Sequence, residues 1–302
     1  LRLASKQRNG HALHQELAST IREHAFFKTY GGVTQAVLKH LSPRQLATLF
    51  YALADMNLNM GDAWYQGFFA VTLPQLKHLE SQGQMSEFKP QELANTLYAC
   101  AQLNLQPESA WMGAFWKASQ DQLSQFAPQG LSNTLYACVV MEWDVPDWLI
   151  QGIRTTQETF SLDGWRQLYT ASVFADLSLD FPEDIVDQLI RSERTKVSST
   201  EDRAGSVIDS LLGKQEVYHT HWIPGAATTI DFFVQKHKLI IQVDGPTHYL
   251  SDGSQNGNTR FQTRLLEKLG YRVLRLGYRE LNRNAQAYIQ QQLAPFLGGG
   301  AS

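Results

Sequence analysis

Only two cysteines, Cys100 and Cys138, occur in 302 residues, so a disulfide-dense scaffold and a four-cysteine zinc site are both excluded. Apolar runs are short: none nears the roughly 18 consecutive residues that a spanning helix needs, and no basic, apolar, small-residue leader stands at the start. Membrane insertion is not expected. The chain opens at Leu1, so an upstream segment, with any address it carried, is expected to lie outside it. A surplus of basic charge is missing too. The 26 Lys+Arg and 29 Asp+Glu give a net charge of −3, which excludes a uniformly basic binder of the histone type and leaves partners to be read from local charge. What remains, 43% hydrophobic and 18% charged residues, is the composition of a folded chain with room for two domains or a repeat array plus one domain.

The first half repeats itself. Phe88 to Leu105 (FKPQELANTLYACAQLNL) returns at Phe126 to Trp143 (FAPQGLSNTLYACVVMEW), with a looser copy at Leu41 to Leu58 (LSPRQLATLFYALADMNL). Pro43, Pro90 and Pro128 lie 47 and then 38 residues apart, so the unit is 38 residues and the first carries a nine-residue insertion, placed at Ser81 to Gln84. Trp64, Trp111 and Trp148 mark a second beat, and each unit reads as helix, turn, helix. Proline in a first helical turn is tolerated because that N–H has no intrahelical partner, and Leu93, Leu97, Cys100 and Ala101 then form one apolar face. Phe160 to Leu179 is expected to be a degenerate end copy. Cys100 and Cys138 hold equivalent places in neighbouring units; helix axes 8 to 10 Å apart exceed disulfide reach, so both are expected to pack rather than bridge.

These residues resemble the octotricopeptide repeat, a 38-residue helical hairpin of green-algal organellar proteins. Pro90, Gln91, Leu93, Ala94, Asn95, Leu97, Tyr98 and Ala99 carry the likeness, with Pro128, Gln129, Leu131, Asn133, Leu135, Tyr136 and Ala137 close behind. The resemblance implies RNA binding along a face lined by the first helices. Gln91, Asn95, Gln129 and Asn133 are the polar positions left over from the apolar stripe; their amides could read base edges or hydrogen-bond neighbouring helices to hold the stack.

After Arg191 to Asp202 (RSERTKVSSTED) the period changes. A helix from Glu201 to Leu212, capped by Ser199 or Thr200, precedes short strands at Tyr218 to Trp222, Thr228 to Val234 and Leu239 to Val243. A helix over Thr259 to Leu269, a strand over Tyr271 to Leu276 and a helix over Leu281 to Phe296 complete an α/β core.

Ile230-Asp231-Phe232, the run from Leu239 through Asp244-Gly245-Pro246-Thr247-His248 to Tyr249, and Leu269-Gly270-Tyr271-Arg272-Val273-Leu274-Arg275 resemble the RAP domain, a module of organellar RNA-binding proteins. That domain is similar in fold to PD-(D/E)xK nucleases. The expected fold class is therefore an α-solenoid of helical-hairpin repeats followed by a small α/β, restriction-endonuclease-like domain. Residues 1–40 are expected to form an N-terminal helical extension, 41–190 the repeats, 191–205 a linker and the start of the C-terminal module, 206–297 the RAP domain and 298–302 a flexible tail.

A nuclease of this kind needs carboxylates on adjacent strands around a divalent metal. Asp231, Asp244 and His248 could supply a site, with Mg²⁺ as its cofactor. Gln242, however, stands where the nuclease pattern wants Glu, so a buried polar relic and no cofactor are expected instead. His219 and His221 are expected on one face of a strand, as packing or an RNA-facing edge. From Lys236 to Arg283 nine Lys+Arg face four Asp+Glu. Arg260, Arg264 and Lys268 recur every fourth residue, with Arg272 and Arg275 beyond, and are expected to form a phosphate-binding patch. The function implied is RNA binding in organellar RNA maturation or stability, or as an RNA-contacting part of a ribosome, in the mitochondrion rather than the chloroplast. RNA and ribosomal proteins are the expected partners, with no membrane and no small-molecule substrate. An RNA endonuclease and a protein-docking scaffold are the alternatives.

Overall fold

The computed structural model describes residues 36–77, 86–156, 159–192 and 197–297. The expected insertion at Ser81 to Gln84, the tail at 298–302 and all but the end of the 1–40 extension lie outside them. Contacts divide the chain into two units. One runs to Leu168 and also takes Tyr249–Asn258; the other holds Tyr169–His248 and the chain from Thr259 onward.

In the first unit the prolines do open helices. Helices α1 (Pro43–Asp55), α3 (Pro90–Gln102) and α5 (Pro128–Met141) each begin on proline. Ser42 and Gln45 cap the first reciprocally, the Ser42 N–H donating to Gln45 Oε1 and the Gln45 N–H to Ser42 Oγ. Each proline helix is followed by a partner, α2 (Asp62–Lys77), α4 (Ser109–Asp121) and α6 (Asp147–Thr155). Helix α3 packs between α1 and α5, and α2 packs on α4, so equivalent helices of successive hairpins lie side by side.

The core follows from the repeated pattern. Leu46, Phe50, Trp64 and Phe68 are all but fully buried, with Phe50 and Phe68 ring centres 4.4 Å apart. Trp111 donates its indole N–H to Thr72 Oγ1 at 2.8 Å, so the second beat locks one hairpin to the next. Cys100 and Cys138 are buried free thiols, and burial pushes the Cys138 thiol up to about 12. Tyr51, Tyr98 and Tyr136 form a row, with ring centres 6.0 and 6.4 Å apart.

Tyr249–Asn258 completes this unit. Leu250 joins its apolar core. The Ser251 N–H donates to Asn57 O, Asn59 Nδ2 to Asp252 Oδ2, and Asn104 Nδ2 to Gln255 O. Asn57, left-handed at φ 54°, accepts at Oδ1 from both Gln102 and Asn256.

The division falls at Leu168–Tyr169, inside α7 (Leu162–Ala175), and not at 191–205. The physical reason is the degenerate fourth copy: its later residues bond within the second unit, Phe174 against Phe261 and Asp176 to Lys268. Helix α8 (Ile185–Ser192) follows. Then α9 (Ser199–Leu212) is capped by Ser198, one residue earlier than expected, because only Ser198 stands three before Glu201 and completes a reciprocal cap.

A four-stranded sheet in the order β1 (Val217–Ile223), β2 (Thr228–Val234), β3 (Leu239–Asp244), β4 (Arg272–Gly277) forms the centre of the second unit. The first two pairings are antiparallel and the last is parallel. The parallel pair needs a crossover, which contains α10 (Gly257–Lys268). Phe232, Val234, Leu239, Ile241, Leu274 and Leu276 form one core with residues of α9 and of α11 (Tyr278–Leu297). The opposite side of the sheet carries Asp231, Gln242, Asp244 and Arg275.

Candidate functional site

Strand alternation puts Gln242 and Asp244 on one side of β3, and the sheet register places Gln242 directly opposite Arg275 of β4. The β2–β3 pairing runs only from Val234–Leu239 to Phe232–Ile241. One step beyond, side chains take the place of ladder bonds: the Asp231 N–H donates to Gln242 Oε1 at 3.0 Å, and the Val243 N–H to Asp231 Oδ2 at 2.6 Å. Asp231, one of the expected nuclease residues, and Gln242, which stands where that pattern wants Glu, here staple two parting strands.

Asp244 is fully buried and Arg275 nearly so, at 8% side-chain exposure. The guanidinium meets the carboxylate side-on, Nε at 2.8 Å from Oδ2 and a terminal nitrogen at 2.6 Å from Oδ1. Its other terminal nitrogen donates to Gln262 Oε1 and Thr263 Oγ1 of α10. Such planar, bidentate pairing suits Arg and not Lys. His248 Nδ1 lies 3.1 Å from Thr259 Oγ1 and 3.6 Å from Asp244 Oδ1. Burial holds this imidazole below its ordinary pKa, against the pull of the Asp244 charge. Burial also pushes the Asp231 carboxyl up to about 7; the Val243 N–H opposes this, while the Glu201 charge adds to it.

This donor set does not fit a divalent cation. Both Asp244 oxygens are held by Arg275, Asp231 Oδ2 already accepts the Val243 N–H, and the Gln242 oxygen is uncharged and already accepts an N–H. Hard cations depend on carboxylate count. Among the described residues no group of three or more His, Cys, Asp and Glu side chains could hold a metal ion.

The five cations of the expected patch have different surroundings. Arg260 is exposed. Arg264 lies 5.8 Å above the Phe174 ring, and Lys268 donates to Phe174 O and Asp176 Oδ2. Arg272 stacks on Phe296 and donates to the carbonyls of Pro295 and Phe296. Arg275 leaves the patch altogether for the buried pair. The charge reading missed this because nothing along the sequence reveals that Arg275 sits opposite Gln242.

Of the amides on the repeats, Gln91 is exposed and Asn95 half-buried. Gln129 Nε2 donates to Asn133 Oδ1, which also accepts from Gln167 Nε2, and Ser161 donates to Gln129 Oε1. Asn133 is 8% exposed. In that unit the amides join α5 to α7, the structural alternative of the two left open by the sequence.

His219 and His221 do not share a face. His219 lies edge-on to Phe232 and 2.9 Å from Asp209 of α9, whereas His221 stacks on Phe233. Thr220 between them has φ 52°, and this reverses the alternation. Glu201, whose charge reaches both Asp231 and His219, was read only as part of a helix; the Ser-x-x-Glu cap was the signal available for its position.

Compared with known families, residues 241–290 match the model of the RAP domain. Residues 70–156 match the Tbc2 translation factor, N-terminal domain. No curated protein matches the chain.

Proposed function

We propose that this chain is an RNA-binding protein of organellar gene expression, in which the RAP module and an octotricopeptide-like array of helical hairpins hold RNA without cutting it. The observation that carries the non-catalytic half is the Arg275–Asp244 pair. A fixed guanidinium occupies the carboxylate that a nuclease of this fold would offer to a metal, and Asp231 and Gln242 are committed to backbone groups. RNA binding is supported by the RAP match and by the local cationic excess between Lys236 and Arg283. The match to a translation factor's N-terminal domain favours work on a messenger or beside a ribosome. Ribosomal proteins as further partners and the mitochondrion as the location are part of the same proposal and rest on the sequence resemblance alone.

Titrating the full chain against fluorescein-labelled single-stranded RNA tests the reading. Affinity should fall by orders of magnitude between about 50 and 200 mM salt as bound phosphates release counterions. Replacing Arg260, Arg264 and Lys268 together by Ala should weaken binding to unrelated RNAs alike, and should flatten the log–log salt slope by roughly one for each phosphate no longer neutralised. Arg260, the exposed member, should account for most of it. Undiminished binding by the triple variant would remove the helix α10 patch from the account. RNA cleavage with Mg²⁺ or Mn²⁺ that Asp231→Ala abolishes would overturn the non-catalytic half.

A further inference from the structure

One surface feature is left over from the sites above. Tyr218, His221, Phe233 and Tyr271 meet as a quartet on the second unit. Phe233 is its centre: the His221 ring stacks on it at 5.2 Å and 17°, Tyr218 lies 6.3 Å away, and Tyr271 meets it edge-on at 5.7 Å. Tyr218 is 47% exposed and the other three are half-buried. Four rings gathered at a surface are poorly explained by folding alone, because a ring left partly wet forfeits part of the free energy its burial would contribute.

Two further observations point to an occupant. Thr220 holds a left-handed backbone, φ 52°, which a β-branched residue adopts only at a cost. Its effect is to turn His221 onto the side of Tyr218 and Phe233, so the strain assembles the quartet. Cations border it as well. The Tyr218 hydroxyl donates to Gln235 Oε1, which fixes the ring beside the β2–β3 turn where Lys236 and Lys238 are exposed. The Arg272 N–H, next to Tyr271, donates to Lys238 O. Lys214 stands near the start of β1, with Glu216 as the acidic residue beside it. Exposed aromatic faces bordered by ammonium groups suit an unpaired nucleobase: the π-face stacks and the adjoining phosphate meets a cation.

We propose that Tyr218, His221, Phe233 and Tyr271 form a stacking platform for unpaired bases of single-stranded RNA, with Lys236 and Lys238 on the flanking phosphates. This rests on the RNA-binding reading and adds where the bases go. The platform accepts any base, since each has a π-face, and it rejects duplex, whose bases are not available.

The test uses the full chain, fluorescein-labelled oligouridine, and the same strand carrying abasic sites. Tyr218→Ala should bind oligouridine roughly tenfold more weakly with an unchanged salt slope, since stacking releases no counterions, and should lose the preference for oligouridine over the abasic strand. Tyr218→Phe, which keeps the ring, should retain most of the affinity. Lys236→Ala with Lys238→Ala should instead flatten the salt slope. Because Tyr218 is about half exposed, the variants' thermal melts should stay close to wild type; Phe233→Leu, which keeps an apolar side chain but removes the ring, serves as a second test if one does not. Wild-type binding that neither Tyr218→Ala nor Phe233→Leu diminishes overturns the platform while leaving the RNA reading intact. A wild-type chain that binds neither strand overturns both.

Discussion

At the scale of single residues, the second unit turns a site of charge chemistry into one of fixed pairing. Asp231 illustrates the cost. Its carboxyl rises from 3.8 to about 7, so the folded state binds a proton more tightly than the unfolded one. The associated stability is full below about pH 4 and is lost as pH rises through 7. Asp231→Asn keeps an acceptor for the Val243 N–H and never ionises. Thermal melts of both proteins at pH 5 and pH 8 should therefore show the variant gaining on wild type at the higher pH; a pH-independent difference would contradict the raised carboxyl. The comparison cancels the contribution of His248, which both chains share, while the Glu201 charge, which acts on Asp231, enters as part of the difference. Arg275→Gln should be far harsher, since Asp244 would stay buried without its counter-charge. Breaking a buried pair from one side costs about 3 to 5 kcal/mol, measurable by chemical denaturation. Adding Asp244→Asn should restore a good part of that stability, and a double variant no more stable than Arg275→Gln alone would refute the pairing. The sequence revealed Asp231 and Asp244 as neighbours on adjacent strands because alternation is local. It concealed Arg275, whose role depends on a register between β3 and β4 that spans more than thirty residues.

At the scale of elements, legibility tracked how local the cause was. Proline at a first turn, the tryptophan beat and the alternating apolar strands act within a few residues, and the helices and strands they imply are present. Thr220 is the counter-example: no local rule assigns a left-handed backbone to a threonine, so the faces of His219 and His221 were legible only from three dimensions. Gly257 is another. A Cβ there would stand 1.9 Å from Ala101 O and 3.1 Å from Val140 Cγ1, so the backbone at the start of α10 approaches α3 more closely than any side chain permits. Gly257→Ala should destabilise the chain by several kcal/mol, since backbone and not a flexible side chain must give way. A melt within about a degree of wild type would show that this approach is looser than described.

At the scale of the molecule, each unit is compact in itself but drawn from separate stretches of sequence. The RAP match runs through 241–290, yet Tyr249–Asn258 within it belongs to the helical unit. A chain cut at 190 therefore lacks Leu250 in the first core, together with the hydrogen bonds of Ser251, Asp252, Gln255 and Asn256. That fragment should melt well below the full chain and should expose apolar surface to a dye such as ANS. Equal melting and no dye binding would show the helical unit to be self-sufficient. The composition shift at 191–205 suggested a clean cut because it reports where the local pattern changes, and local pattern carries no information about a segment that returns from sixty residues further on.

The returning segment also sets a timetable. During synthesis the hairpins leave the ribosome first, but their apolar centre stays unfinished until Leu250 has been translated and has cleared the exit tunnel. For that interval the nascent chain leaves bare the apolar surface that Leu250 will cover, and any mutation that delays the arrival of the late segment lengthens the window for aggregation without touching the finished fold.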